Sequence, residues 1–116
     1  MRHFDISEFD CPCCGQNAME QAFLNMLDNA RHIAMVPFVI NSGYRCPGHN
    51  KDPRVGGSAT SSHLLGLAAD IKCTNSRDRF KIIRAFYKVG FKRFTPKPTF
   101  IHVDLDLLKD QEVMWL

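Results

Sequence analysis

The sequence predicts an α+β fold in which a small antiparallel sheet packs against two main helices. Two segments carry apolar residues at helical spacing, namely residues 18–34 and the stretch from Asn75 or Ser76 to Gly90. Residues 100–105 alternate apolar and polar side chains, which is typical of a half-buried strand. A chain of 116 residues has the length of one ordinary domain, so we expect a single domain over residues 1–116.

The first half of the chain contains one helix, two strands and a long polar segment. Asn17, with Glu20 three residues later, matches a capping box before the helix of residues 18–34. Residues 36–41 and 66–72 are predicted strands. The polar residues 42–62 between them show no periodicity, and a segment of this length in a compact domain is usually functional or disordered.

The second half of the chain contains the other helix and the clearest strand. Gly90 predicts the end of the helix, and residues 91–98 form a basic connection that contains proline. The tail of residues 106–116 is predicted as a short helix or an arm, with Trp115 packed back on the core. The apolar residues at helical spacing predict the buried side of the helix: Phe80, Ile83, Phe86 and Tyr87.

Composition and charge exclude several classes of protein. Hydrophobic residues make up 45% and charged residues 23% of the chain, which is the balance of a globular protein rather than a disordered one. No segment approaches the roughly 20 apolar residues that a membrane helix needs. The net charge of +3 is too small for the dense basic surface of a nucleic-acid-binding domain, so we expect no nucleic-acid partner.

Five cysteines raise the question of a disulfide framework or a metal site. Their odd number, without a recognisable signal peptide, argues against a secreted disulfide framework. Cys11, Cys13 and Cys14 are crowded, but a pair of them together with Cys46 or Cys73 could hold a structural ion. The alternative is that they are small buried hydrophobic residues, and the absence of a paired Cys-x2-Cys spacing favours this alternative.

Two short segments bring together side chains that bind metals. His63 and Asp70 can approach one ion only if His63 lies on a turn before the second strand, and Gly66 allows such a bend. In the last strand, period-2 alternation places His102 and Asp104 on one face. Each of these residues alone is as compatible with a solvated or structural role as with a functional one.

Two imidazoles and one carboxylate, from His63, His102 and Asp70, form a known ligand set for catalytic zinc with an open fourth position. Such an ion lowers the pKa of its water to about 7, so that hydroxide is available at neutral pH. The alternative for Asp70 is an ordinary ion pair with Lys72 or Arg45.

The two segments resemble the zinc D-Ala-D-Ala carboxypeptidase family, whose members have the hedgehog/DD-peptidase fold. Residues 61–70 match the signature S-x-H-x-x-G-x-A-x-D, and residues 100–104, FIHVD, are similar to the second zinc segment. Residues 40–50 resemble the family's S-G-Y-R-x-P stretch. Residues 9–15 resemble the cysteine-containing start of a small, single-domain phage and bacterial branch.

The resemblance implies a role for each matching residue. It implies Zn²⁺ as the cofactor, with His63, Asp70 and His102 as its ligands. It implies that Arg45 holds a carboxylate of the substrate, which suits the planar fork of a guanidinium. It also implies that Ser61 forms hydrogen bonds in the substrate pocket; the alternative for Ser61 is a turn cap.

The general base is less evident. Relatives place an acidic residue or histidine two or three positions before the last zinc histidine, where this chain has Phe100 and Thr99. Asp104 is therefore the candidate catalytic residue, either as the base or as the group that orients a ligand histidine. The sequence leaves both roles open. His49, Asp52 and Asp106 are weaker candidates.

The resemblance implies that the chain hydrolyses an amide bond in peptidoglycan stem peptides, as a D-Ala-D-Ala carboxypeptidase or an L-Ala-D-Glu endopeptidase. The alternative is a zinc-bearing binding module that has lost catalysis. We expect a monomer that is synthesised in the cytoplasm without a signal peptide and acts on the cell wall if released, as a phage endolysin would.

Overall fold

The fold is known from a computed structural model that describes residues 2–55, 57–58 and 60–115. It is an α+β fold with a four-stranded antiparallel sheet, as the sequence predicts. There are two short 3-10 helices: Ile6–Phe9 lies near the N-terminus, and Ser62–Leu65 lies between the first two strands of the sheet. The other elements are α1 (Gln21–Ala34), β1 (Ile40–Ser42), α2 (Pro47–Lys51), β2 (Ala68–Lys72), α3 (Ser76–Val89), β3 (Arg93–Pro96) and β4 (Phe100–Asp104).

The strands lie in the order β1-β2-β4-β3, so that β2 and β4 form the centre of the sheet. Asp70 on β2 pairs with His102 on β4, and Arg93 on β3 pairs with Asp104. Successive side chains of a strand point to opposite faces. The pairing therefore collects polar side chains on one face and leaves the other face apolar.

The apolar face of the sheet packs against α1 and α3, which also pack against each other. Because both helices cover this face, the polar face is left for the site. The core contains fully buried side chains from both layers: Phe23, Leu24, Leu27, Ile71, Ile82, Phe86, Ile101 and Val103.

Helix α3 has the predicted ends but a different buried side. The Asn75 side chain accepts a hydrogen bond from the Asp78 amide, and Gly90 ends the helix with φ 97°. Phe86 is buried as predicted, whereas Phe80 and Tyr87 are each 66% exposed. Ile82 is buried instead, so the buried side of α3 is rotated about the helix axis relative to the predicted one.

Helix α1 begins three residues later than predicted. Asn17 accepts a hydrogen bond from the Met19 amide and so forms a turn rather than the helix cap. The residue before the helix is Glu20, whose amide donates to the Gly66 carbonyl and so ties the start of α1 to the turn before β2.

One α-helix and one strand were not predicted. Helix α2 lies in the polar segment of residues 42–62, where Cys46 caps it and Pro47 occupies its first position. Strand β3 lies in the predicted connection of residues 91–98 and is the edge of the sheet, where Pro96 is tolerated. Strand β1 covers Ile40–Ser42 rather than residues 36–41.

The C-terminal tail is an arm rather than a helix. Val113 forms a bridge with Arg93 at the edge of β3. The prediction that Trp115 packs on the core is wrong, because the side chain lies on the polar face of the sheet. Its ring is 5.6 Å from the His102 ring and 4.8 Å from the Arg93 guanidinium carbon.

None of the helices in the described residues is long and apolar enough to cross a membrane.

Candidate metal centre

Three side chains that are distant in sequence converge on the polar face of the sheet. The register of β2 and β4 places Asp70 beside His102. His63 arrives from the 3-10 helix before β2, which ends at Gly66 with φ 69°. A Cβ at Gly66 would lie 1.9 Å from the Ala18 carbonyl oxygen, so the bend requires glycine at this position.

The potential ligand atoms of this group face one another. Oδ1 of Asp70 lies 2.9 Å from Nδ1 of His102 and 3.3 Å from Nε2 of His63. All three ligand atoms are within 4.8 Å of one another. His63 is only 2% exposed, so the group forms the floor of the site rather than its rim.

Hydrogen bonds behind the two histidines determine which nitrogen each turns toward Asp70. Nδ1 of His63 lies 2.7 Å from the Gly43 carbonyl oxygen, to which it can only donate. Nε2 of His102 lies 2.9 Å from Oδ2 of Asp104. In neutral imidazoles with protons on these two outer nitrogens, Nε2 of His63 and Nδ1 of His102 carry the lone pairs that can bind a metal. In charged imidazoles the same two nitrogens carry protons and donate to Asp70.

Neighbouring side chains shift the pKa values of Asp70 and His102. Burial alone would raise the pKa of Asp70, but hydrogen bonds from His102 and His63 outweigh it and hold the pKa well below its usual range. Burial likewise lowers the pKa of His102, but bonds to Asp104 and Asp70 outweigh it and raise that pKa. The imidazoles therefore stabilise the ionised Asp70 carboxylate, and the carboxylates of Asp70 and Asp104 stabilise the charged form of His102.

These residues fit a divalent ion such as zinc. Ligand bonds of 2.0–2.2 Å in tetrahedral geometry place neighbouring N and O ligand atoms about 3.3 Å apart. The distances of 2.9 and 3.3 Å around Asp70 are close to that separation. Histidine bonds to a carboxylate and to a backbone carbonyl, like those of His102 and His63, are usual behind metal ligands.

Asp104 lies behind His102 and is 1% exposed. Its Oδ1 accepts hydrogen bonds from Nε of Arg93, at 2.8 Å, and from the Asp106 amide, at 3.1 Å, while Oδ2 faces His102. Burial would raise the pKa of Asp104, but these hydrogen bonds and the Arg93 charge lower it. Asp104 is therefore a fixed carboxylate that contacts His102 on the side away from Asp70.

Arg93 is a residue of the site that was not predicted from the sequence. Only the pairing of β3 with β4 brings it opposite Asp104. A basic residue with apolar neighbours, Phe91 and Phe94, was the available signal, but it lay in a segment that was not predicted to be a strand.

Arg45 lies in the segment after β1 and is held on three sides. Nε donates to Ser42 Oγ at 3.3 Å, Nη1 donates to Asn50 Oδ1 at 3.3 Å, and Nη2 lies 3.6 Å from Asp70 Oδ2. Gly57 packs closely here, because a Cβ would lie 1.9 Å from Asn50 Oδ1. The guanidinium is thus oriented toward the group of His63, Asp70 and His102.

A cavity of about 320 Å³ lies in front of these residues. Ser61 lines it, and the same side chain caps the 3-10 helix by accepting a hydrogen bond from the His63 amide at 3.3 Å. Ser61 therefore both lines the cavity and caps the turn. Other residues that line the cavity include Arg45, Asp70, Lys97, His102, Asp104, Lys109 and Trp115.

Comparison with known proteins identifies the family of the chain. No curated protein matches the chain significantly. The family profile described as Peptidase M15 matches residues 2–104, which include both strands and the 3-10 helix of the site. Members of this family are metal-dependent peptidases, and this chain has a group of residues able to hold a metal. The chain therefore belongs to the peptidase M15 family.

Proposed function

We propose that the chain is a zinc-dependent peptidase that hydrolyses an amide bond in peptidoglycan stem peptides. Membership of the family accounts for a metallopeptidase; the identity of the metal and of the substrate is our proposal. The observation that supports it is the convergence of His63, Asp70 and His102 beside the Arg45 guanidinium in one cavity.

The types of ligand favour zinc. Two imidazoles and one carboxylate suit zinc, whereas calcium and magnesium prefer sites built of oxygen. When bound, zinc polarises the carbonyl to be cleaved and makes hydroxide available from water at neutral pH. In our proposal His63, Asp70 and His102 hold the ion, and the Gly43 carbonyl and Asp104 orient the two imidazoles.

The charge of the cavity favours an anionic peptide. Arg45 offers a planar fork to a substrate carboxylate, and Lys97 and Lys109 also line the cavity. Stem peptides of peptidoglycan carry free carboxylates, at a terminal D-Ala or within the stem. We propose that Arg45 binds such a carboxylate and so positions the amide bond over the group of three ligands.

For Asp104 the surroundings favour the orienting role over that of the base. Both of its oxygens are engaged, one by Arg93 and the Asp106 amide and the other by His102. A base must reach the water that it deprotonates. We therefore propose that Asp104 is a positioning residue that holds His102 with Nδ1 toward the metal.

A binding module without catalysis is the second candidate, and one observation favours it. The positions where relatives carry the base are Thr99 and Phe100, and Asp104 is held behind His102. The weaker candidates do not fill the gap. Asp52 is paired with Arg54 and Asp106 with Ser62, and His49 lines a different cavity, beside Cys13.

Digestion of a defined muropeptide, followed by mass spectrometry, tests the proposal. We expect cleavage by the purified chain, loss of cleavage with a chelator, and recovery when zinc is restored. His63→Ala should lose both bound zinc and cleavage, because removal of a ligand usually leaves the site unable to hold the ion.

His32→Ala is the matched control, because His32 is exposed and lies on α1 away from the site; it should keep both zinc and activity. Zinc uptake with muropeptide binding but without cleavage would support the binding module. Absence of zinc from the purified chain and from the chain incubated with zinc would overturn the proposal.

A further inference from the structure

Four of the five cysteines form a second cluster, separate from the group of His63, Asp70 and His102. The Sγ atoms of Cys11, Cys13, Cys14 and Cys46 all lie within 4.8 Å of one another. All four are free thiols. Cys11 and Cys46 are buried, but Cys13 and Cys14 are exposed, so the expectation that these cysteines are small buried hydrophobic residues is wrong for those two.

A tight turn and one long-range contact create the cluster. The amide of Gly15 donates to the Cys11 carbonyl, and the amide of Cys11 donates to the Gln16 carbonyl, so residues 11–16 close on themselves. This turn points three thiols to one side. Cys46 approaches them from the start of α2, with its Sγ 3.2 Å from that of Cys13.

The separations fit a tetrahedral metal site. Zinc–sulfur bonds of about 2.3 Å place the sulfur atoms of a four-cysteine site about 3.8 Å apart. Here Cys13 Sγ lies 3.6 Å from Cys11 Sγ and 3.2 Å from Cys46 Sγ. A modest expansion of the cluster therefore admits the ion.

Backbone amides already point at the sulfur atoms. The amide of Cys46 donates to Cys11 Sγ at 3.4 Å, and the amide of His49 donates to Cys46 Sγ at 3.4 Å. Such donors stabilise the thiolates that a metal requires.

We propose that Cys11, Cys13, Cys14 and Cys46 bind a thiophilic divalent ion, best matched by zinc, as a structural site distinct from the catalytic one. Soft thiolate ligands select zinc over magnesium and calcium. A closed set of four cysteines leaves no open position for substrate, which is typical of structural zinc.

The place of this site in the fold gives it a role in positioning Arg45. The segment of residues 43–46 lies between two neighbours: the Tyr44 amide donates to the Phe9 carbonyl, and the Arg45 amide donates to the His63 carbonyl. An ion held by Cys46 and the turn of residues 11–16 would fix this segment from outside. The segment in turn supplies Arg45 to the cavity and the Gly43 carbonyl to His63.

Cobalt substitution distinguishes this site from the other one, because only thiolate ligands produce a sulfur-to-cobalt charge-transfer absorption in the near ultraviolet. We expect the reduced, full-length chain to show this absorption with Co²⁺. The double variant Cys13→Ser/Cys14→Ser, which replaces the two exposed thiols, should lose this absorption. Elemental analysis should find one metal ion fewer per chain, and the variant should unfold at a lower temperature.

Cys73→Ala is the matched control: Cys73 is a buried free thiol at the end of the sheet and lies outside the cluster. It should keep the absorption and the metal content. Absence of the charge-transfer absorption from the reduced chain, or equal absorption in the double variant, would overturn the proposal. Because His63→Ala should leave the absorption intact, failure of the catalytic proposal would not be mistaken for failure of this one.

Discussion

At the scale of single residues, the hydrogen bonds of Asp104 explain how the site is prepared for a metal. This buried carboxylate joins Arg93 to His102, and through His102 it faces Asp70. These hydrogen bonds orient the His102 ring, and Asp104 does so from the wall of the same cavity that the metal ligands line. Its role can be separated from that of a base by measuring metal affinity and turnover independently.

Asp104→Asn should weaken zinc binding by about 10–100-fold, because an amide holds the imidazole less firmly than a carboxylate. Turnover at saturating zinc should fall much less than zinc affinity does. Competition with a chromophoric chelator measures the affinity, and muropeptide cleavage measures the turnover.

Asp106→Asn is the control for this variant, because Asp106 is also buried but bonds Ser62 instead of a histidine. It should keep zinc affinity near that of the native chain. Loss of turnover by Asp104→Asn with unchanged zinc affinity would instead identify Asp104 as the base.

At the scale of elements, helix α1 holds the N-terminal segment through one buried carboxylate. Asp28 accepts hydrogen bonds from the amides of Arg2, at 3.1 Å, and His3, at 2.9 Å. Burial raises the pKa of Asp28, but these hydrogen bonds and the charges of His3 and Arg2 outweigh it and lower the pKa. The ionised form is therefore the one that stabilises this contact.

Asp28→Asn should lower the free energy of unfolding at neutral pH by about 1–3 kcal/mol, since it weakens two hydrogen bonds to a charged group. A lowered folded-state pKa contributes stability that is present above the unfolded value of about 3.9 and is lost as the pH falls through the folded value. The difference between variant and native chain should thus shrink below about pH 4. Urea unfolding at a series of pH values measures it; a difference independent of pH would contradict the assignment.

At the scale of the whole molecule, the two faces of the sheet have different roles. Its apolar face and the two long helices form the core, and its polar face carries the candidate metal centre. Phe86 is at the centre of the core, where its ring contacts those of Phe38, Phe91 and Phe94. The core can therefore be weakened without touching the polar face.

Phe86→Ala should lower the free energy of unfolding by about 3–5 kcal/mol, because it leaves a cavity among aromatic rings. Phe80→Ala on the same helix should change it by less than about 0.5 kcal/mol, since Phe80 is 66% exposed. Chemical denaturation of both variants provides the measurement. Equal losses would contradict the observed orientation of α3.

The sequence by itself was sufficient for the fold class, for the two long helices and for the three residues that converge on the polar face. Helical periodicity and the caps at Asn75 and Gly90 predicted α3, because capping depends on local backbone geometry. Alternation in β4 predicted that His102 and Asp104 share a face, and the match of residues 61–70 added His63 and Asp70. Caps, alternation and short motifs can be read from the sequence because each depends only on residues that are close together along the chain.

Only the tertiary structure decided the partners of these residues. Strand pairing placed Arg93 against Asp104, and chain folding brought Cys46 to the turn of residues 11–16 and Trp115 to the polar face. Each is a contact between residues distant in sequence. Such contacts depend on strand register and on the packing of a short edge strand, and neither is encoded in the periodicity of a single segment.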